Sequence, residues 1–252
     1  MTEPTIKELA ARSPKECWSK VNYMWHYLGL YVARPLLKTN ITPNQITVFW
    51  ILLEVVAALF MLGNYWLRIT GIFIFNVLVN LLDYTDGNVA RLKNIKTHAG
   101  IYLDYIGIFL GMPLMLLFLG LGIYLRDENL SGLYLGGLCC IFLLYEKLFV
   151  TNASWFGSEK WPQLKEVYRA SSLSKKNLFS YLSELFRRTQ PLNLLFFGIV
   201  LDYLIYTLVI YTIISFLAMV KKLVSQYRAI SKLDREYYEN NKMPNIQKRD
   251  ED

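Results

Sequence analysis

The sequence predicts an all-α integral membrane protein: six transmembrane helices with an N-terminal interfacial amphipathic helix. Three observations carry that expectation. Apolar residues make up 54% of the 252 positions and come in long runs, while charged residues are only 19%. Runs of about 20 apolar residues are what a hydrocarbon core about 30 Å thick requires of a helix. The Lys and Arg behind the net charge of +7 gather in loops, and an even number of spans puts those loops on one side of the membrane. A nucleic-acid partner is the other reading of such an excess. The clustering beside apolar runs favours the membrane, and no nucleic acid is expected.

The chain divides into an N-terminal tail with the interfacial helix (1–38), a six-helix membrane domain (39–225) and a charged cytoplasmic tail (226–252). Residues 1–13 are polar and read as loose. The first 20 residues carry Lys, Arg and Glu and no apolar core, so no cleavable signal peptide is expected. From Pro14 to about Leu37, Trp18, Tyr23, Trp25, Tyr27 and Tyr31 mix with Lys20, His26 and Arg34. That stretch is too polar to span and too apolar to be solvated, which suits a helix at headgroup level. Thr42 and Pro43 open the first span as cap and first-turn proline, and it runs to about Leu62 with Glu54 inside. Asn64 to Arg68 read as a turn. Span two runs from about Ile69 to Val89, a basic loop follows at Arg91, Lys93 and Lys96, and span three runs from about Ala99 to Leu125. Arg126 to Gly132 form the next turn, and span four runs from about Leu133 to Phe156 with Glu146 and Lys147 inside.

The stretch 157–190 is polar and basic. The apolar block from Pro191 to Val220 is long for one span; two spans with an outer turn at Asp202–Tyr203 keep Lys221, Lys222 and Arg228 on the basic side. The tail beyond Tyr227 reads as disordered or surface-bound. The three cysteines form no metal or disulfide pattern: Cys17 is isolated, and Cys139 and Cys140 are adjacent within an apolar run.

The chemistry concentrates where spans two and three meet. Asp83 and Asp86 share a helix face at i, i+3, and Gly87 and Ala90 lie on it, each four residues past one of the aspartates. Arg91 ends the segment with a planar fork of donors suited to phosphate. Gly100 and Asp104 open the next span. Ionisable groups at membrane depth are rare and mark a functional site by default. Three carboxylates on two helices, with no Cys among them, suit a hard divalent cation held by oxygen. The bland alternative is a surface ion-pair set with Arg91, Lys93 and Lys96, worth little. It leaves the intervening Gly and Ala without a reason.

This constellation resembles the signature of the CDP-alcohol phosphotransferase (CDP-alcohol phosphatidyltransferase) family, Asp-x2-Asp-Gly-x2-Ala-Arg-x8-Gly-x3-Asp-x3-Asp. Asp83, Asp86, Gly87, Ala90, Arg91, Gly100 and Asp104 stand in register, and the eighth position holds Ile108. Pro43-Asn44-x-x-Thr47 resembles the opening of the family's first spanning helix. The resemblance covers about residues 34 to 225. It implies transfer of a substituted phosphate from a CDP-linked donor (CDP-diacylglycerol or a CDP-head group) to an alcohol or phosphorylated acceptor, with release of CMP, in phospholipid or related membrane-lipid synthesis. By carry-over Asp83, Asp86 and Asp104 are metal ligands for Mg2+ or Mn2+. Asn44, Gly87, Ala90, Arg91 and Gly100 are the ligand-binding set, and the site faces the cytoplasm. Family members are often homodimers, so a homodimer among membrane lipids is expected.

The family's last aspartate is the expected general base, and Ile108 can neither accept a proton nor bind metal. The catalytic residue is therefore left open. His98 or Glu146 could act as base, the acceptor could already be ionised, transfer could be slow, or the protein could bind a CDP-linked ligand without turnover as a pseudoenzyme. A small membrane transporter with acids along its pathway is a further alternative. The clustering of acids at one edge, beside a basic loop, favours phosphate chemistry over transport.

Overall fold

The computed structural model describes residues 4–14, 20–160 and 193–247. Its elements are all helical: α1 Ile6–Arg12, α2 Lys20–Leu36, α3 Pro43–Phe60, α4 Tyr65–Phe73, a π-helical segment Ile74–Val79, α5 Asn80–Leu92, α6 His98–Asp127, α7 Leu130–Lys160, α8 Leu194–Val200 and α9 Leu204–Gln247.

The N-terminus corrects the expectation of a loose tail. Thr5 and Glu8 close a reciprocal capping box, with Glu8 N–H donating to Thr5 Oγ1 at 3.3 Å and Thr5 N–H to Glu8 Oε2 at 2.8 Å. Two orphan donors of the first turn are thereby satisfied, and Leu9 is buried one residue later. The helix α2 is amphipathic as expected: Trp25, Leu30 and Ala33 are buried while Tyr23, Leu28 and Tyr31 are exposed. It packs on α5, and Gly29 permits the close approach, because a Cβ there would stand 3.1 Å from the backbone of Tyr84.

The span α3 opens as predicted on Thr42, whose side chain forms a capping box with Gln45. The expected turn at 64–68 is shorter than the sequence suggested, because Asn64 caps α4 by accepting the Leu67 N–H. Arg68 lies inside that helix, is 3% exposed, and pairs with Asp202 at 3.1 Å. The π segment is a feature no periodicity announced. From it Asn76 exchanges amide hydrogen bonds with Asn193, the cap of α8 (3.0 and 3.5 Å), and Asn80 at the start of α5 donates to the Asn76 carbonyl at 2.8 Å. Such segments occur often near functional sites, and this one lies one turn before Asp83.

Among the described residues four helices are long and apolar enough to cross a membrane: Pro43–Phe60, Tyr65–Leu92, His98–Asp127 and Leu204–Arg228; Leu130–Glu146 is a shorter apolar helix. The turn expected at Asp202–Tyr203 is present, with Asp202 in the left-handed region. Residues 161–190 of the predicted basic loop, Pro191 at the start of the predicted fifth span, and Cys17 and Trp18 lie outside the described residues. The final helix α9 continues to Gln247, beyond the point where the sequence turns charged.

Two compact units emerge: Met1–Cys140 with Leu178–Thr212, and Ile141–Asn177 with Ile213–Asp252. In the second, the rings of Phe142 and Phe216 lie 5.3 Å apart. In the first, Trp50, Met61, Phe75, Met115, Leu116 and Leu119 are fully buried, and α3 packs against both α5 and α6. In lipid, burial from water does not drive such contacts, so close van der Waals approach must. Small residues provide it: Gly120 of α6 meets Gly132 and Gly136 of α7 with no room for a Cβ.

Candidate metal centre and ligand cavity

Three helix termini in the first unit build the site. The cap at Thr42 fixes where α3 begins and so places Asn44, Thr47 and Trp50 along one face of its first two turns. The last turns of α5 carry Asp83, Asp86, Gly87, Ala90 and Arg91. The helix α6 starts on the Thr97 cap, which accepts the Gly100 N–H at 3.0 Å, and presents Asp104 one turn later.

One carboxylate oxygen from each of Asp83, Asp86 and Asp104 lies within 4.8 Å of the others. Ligands on opposite sides of a hard dication stand about 4.2–4.8 Å apart at bond lengths of about 2.1–2.4 Å. The spacing and the all-oxygen donor set therefore fit one shared ion. The three environments differ: Asp86 is buried, Asp83 half-buried and Asp104 exposed. Asp86 is held by two donors on a single oxygen, with Thr47 Oγ1 and Trp50 Nε1 each 2.7 Å from Oδ2. Its Oδ1 is left facing no protein donor among the described residues. That division, one oxygen fixed by the protein and one offered outward, is how surrounding hydrogen bonds orient a metal ligand.

A cavity of about 540 Å³ lies beside the acids, within the usual range for small-molecule sites. Asp86, Asp104, Asn44, Gly87, Ala90, Arg91 and Gly100 all line it, so the structure gathers the sequence-predicted residues; Asp83 joins through the acidic cluster rather than the lining. Asn44 and Gly100 meet directly. A Cβ at Gly100 would come within 2.9 Å of Asn44 Oδ1, and that oxygen accepts from Thr97 Oγ1 at 3.1 Å. Gly87 leaves space that the Arg91 guanidinium uses, since a Cβ there would stand 3.3 Å from Nη1. Arg91 is anchored by Nε to Ser13 Oγ and Nη2 to Asn88 Oδ1, both at 2.7 Å.

Ile108 is exposed one turn beyond Asp104, and neither it nor His98 lines the cavity. Glu146 belongs to the second unit. Sequence reasoning missed Trp50, which lies 36 positions from its partner and could be found only once α3 and α5 were paired. It also missed Arg12 and Pro14, which line the cavity, and Ser13. The Thr5-x-x-Glu8 capping signature was the available signal for those.

Residues 40–224 match the family model for CDP-alcohol phosphatidyltransferase. No curated protein matches the chain significantly. The family is one of transferases that move a phosphate-linked group from a CDP-alcohol to an acceptor. The match spans most of the chain and the whole run from Asn44 to Asp104, so this multi-pass membrane protein belongs to the CDP-alcohol phosphatidyltransferase family.

Proposed function

We propose that the protein transfers a substituted phosphate from a CDP-linked donor to an acceptor oxygen, with Mg2+ or Mn2+ and release of CMP, in membrane-lipid synthesis. The observation that carries this reading is the convergence of Asp83, Asp86 and Asp104 within 4.8 Å beside a cavity that also bears Arg91 and Lys96. Asp83, Asp86 and Asp104 would hold the dication, which when bound would offset pyrophosphate charge and polarise the phosphoryl oxygen. Arg91, already anchored, offers donors to the donor phosphates. Asn44 and Gly100 form the wall against which the nucleotide rests. The acceptor oxygen bonds to the β-phosphorus, the bond from that phosphorus to the bridging oxygen breaks, and CMP leaves with the bridging oxygen.

The proton of a neutral acceptor finds no base at position 108. Among the described residues, the acids at the site are the proposed metal ligands. An acceptor oxygen that is already ionised, as on a phosphate or phosphonate, needs no base, and we take that acceptor class as the better fit. Ile108 also favours a second reading, a family member that binds a CDP-linked ligand without turnover. The site end of the bundle faces the cytoplasm in this account. Arg34, Lys38, Lys93 and Lys96 lie near it, whereas the opposite turns carry Arg68 and Arg126 against Asp127, Glu128 and Asp202, in keeping with the preference of basic loops for the inside.

Radiolabelled CDP-diacylglycerol and CDP-choline, each with Mn2+ and a panel of neutral and phosphorylated acceptors, test the reading. CMP release that stops with EDTA and in Asp83→Asn supports transfer. Metal-dependent binding without release supports the second reading, and absence of both overturns the two together.

A further inference from the structure

We propose that the N-terminal segment ahead of the family domain is a working part of the site: Arg12 binds the phosphates of the CDP-linked ligand, and Ser13 positions Arg91. This rests on the reading above. The family match begins at residue 40, so nothing in it assigns a role to residues before that point.

The segment is built to stay in place. The capping box at Thr5 and Glu8 defines α1, and Leu9 anchors it. At its end Ser13 is fully buried, where its hydroxyl accepts from Arg91 Nε at 2.7 Å and donates to Asn88 Oδ1 at 3.3 Å. Asn88 in turn donates to the His26 carbonyl at 3.0 Å, which ties α2 into the same network. Arg91 is thus held by a residue 78 positions earlier in the chain, and the site's main phosphate donor depends on the N-terminal segment for its orientation.

Arg12 and Pro14, on either side of Ser13, line the cavity. Arg12 is exposed and makes no hydrogen bond or ion pair among the described residues. The charge balance gives it a task. Three carboxylates outweigh one dication, so a doubly charged pyrophosphate entering beside them needs further positive charge close by. Arg91 and Lys96 supply part of that and Arg12 the remainder, from the α1 side of the cavity. A guanidinium suits the role because its fork of donors matches phosphate oxygens.

The test uses the full chain in phosphatidylcholine nanodiscs with Mn2+, and calorimetric binding of CDP-choline and of inorganic pyrophosphate. Arg12→Gln is expected to weaken both by about 10-fold or more, the loss of a charge-assisted contact, with no change in melting temperature, and Arg12→Lys to recover part of it. Ser13→Ala is expected to weaken CDP-choline binding in the native background and to have no further effect in Arg91→Ala. That non-additivity is something a purely structural serine would not produce. If wild type binds CDP-choline and Arg12→Gln binds it equally well, the inference falls and the transferase reading stands. If wild type binds no CDP-choline, that donor is excluded, the transferase reading rests on the CDP-diacylglycerol assay above, and pyrophosphate decides the inference: weaker binding in Arg12→Gln keeps Arg12 as an anion-binding residue, while equal or absent binding overturns it. If Arg12→Gln binds both ligands as wild type does in phosphatidylcholine nanodiscs and differs from it only in nanodiscs that contain phosphatidylglycerol, Arg12 serves lipid headgroups and the proposal is overturned.

Discussion

The indole N–H of Trp50 donates to Asp86 Oδ2 at 2.7 Å, while its six-membered ring lies directly over Gly107 of α6. One side chain on α3 thus fixes a carboxylate on α5 and fills the space against the helix that carries Asp104. Replacing it with phenylalanine keeps an aromatic ring in the gap and removes the donor. Loss of such an outer contact typically costs about 10–100-fold in metal affinity. Trp50→Phe is therefore expected to weaken Mn2+ binding by about 10-fold while the protein still folds, read by titration with Mn2+ under electron paramagnetic resonance. Unchanged affinity would mean that Thr47 alone orients Asp86.

Gly107 gives the complementary test. A methyl there collides with the Trp50 ring, so either the helices part or the indole leaves Asp86. Overpacking of this kind costs about 1–3 kcal/mol. Gly107→Ala should lower the melting temperature and weaken Mn2+ binding together, whereas a change in only one would uncouple the wedge from the metal site.

At the opposite end of the bundle, Arg68 is 3% exposed and its partner Asp202 is 54% exposed. Removing the partner leaves a buried cation without its counter-charge. Breaking a fully buried pair costs about 3–5 kcal/mol, and the exposure of Asp202 reduces that to an expected loss of about 1–3 kcal/mol. Asp202→Ala should lower the melting temperature and leave Mn2+ affinity alone, and Arg68→Met in the same chain should recover stability. A pair that can be broken without a thermal shift would show that Arg68 is solvated by another route.

Ile108 yields the prediction most specific to this chain. Ile108→Asp introduces a carboxylate one turn beyond Asp104, at the position where the family resemblance expects the base. General-base help is worth about 10²–10⁴-fold. CMP release to neutral alcohol acceptors should rise by a factor in that range, with release to phosphorylated acceptors little changed. Equal gains for both would argue against an ionised acceptor in the native reaction.

What the sequence revealed followed from how local each relationship is. Asp83, Asp86 and Asp104 were legible because two lie i, i+3 on one helix, the third falls near the start of the next, and the resemblance to the family signature sets all three in register. The apolar runs gave the all-helical membrane class, although four helices rather than the six expected are long and apolar enough to span among the described residues, and Thr42-Pro43 gave the start of α3. The contacts of Trp50 with Asp86 and of Ser13 with Arg91 depend on which helices pack together, information no local pattern carries. Arg68 was read as part of a turn because a charge within an apolar run usually ends it; its partner lies 134 positions away. The π segment has no periodic signature, since one extra residue per turn over six positions looks like ordinary apolar sequence. The capping box at Thr5 and Glu8 was readable, but the polar composition around it masked a helix of only seven residues.

The central claim is that three aspartates from two neighbouring helices hold one ion. Crystals soaked in Mn2+ and measured at the manganese absorption edge test it directly. The account predicts an anomalous peak about 2.0–2.6 Å from oxygens of Asp83, Asp86 and Asp104, lost in Asp83→Asn. A protein that binds Mn2+ with its peak elsewhere, or shows none between these carboxylates, would contradict it.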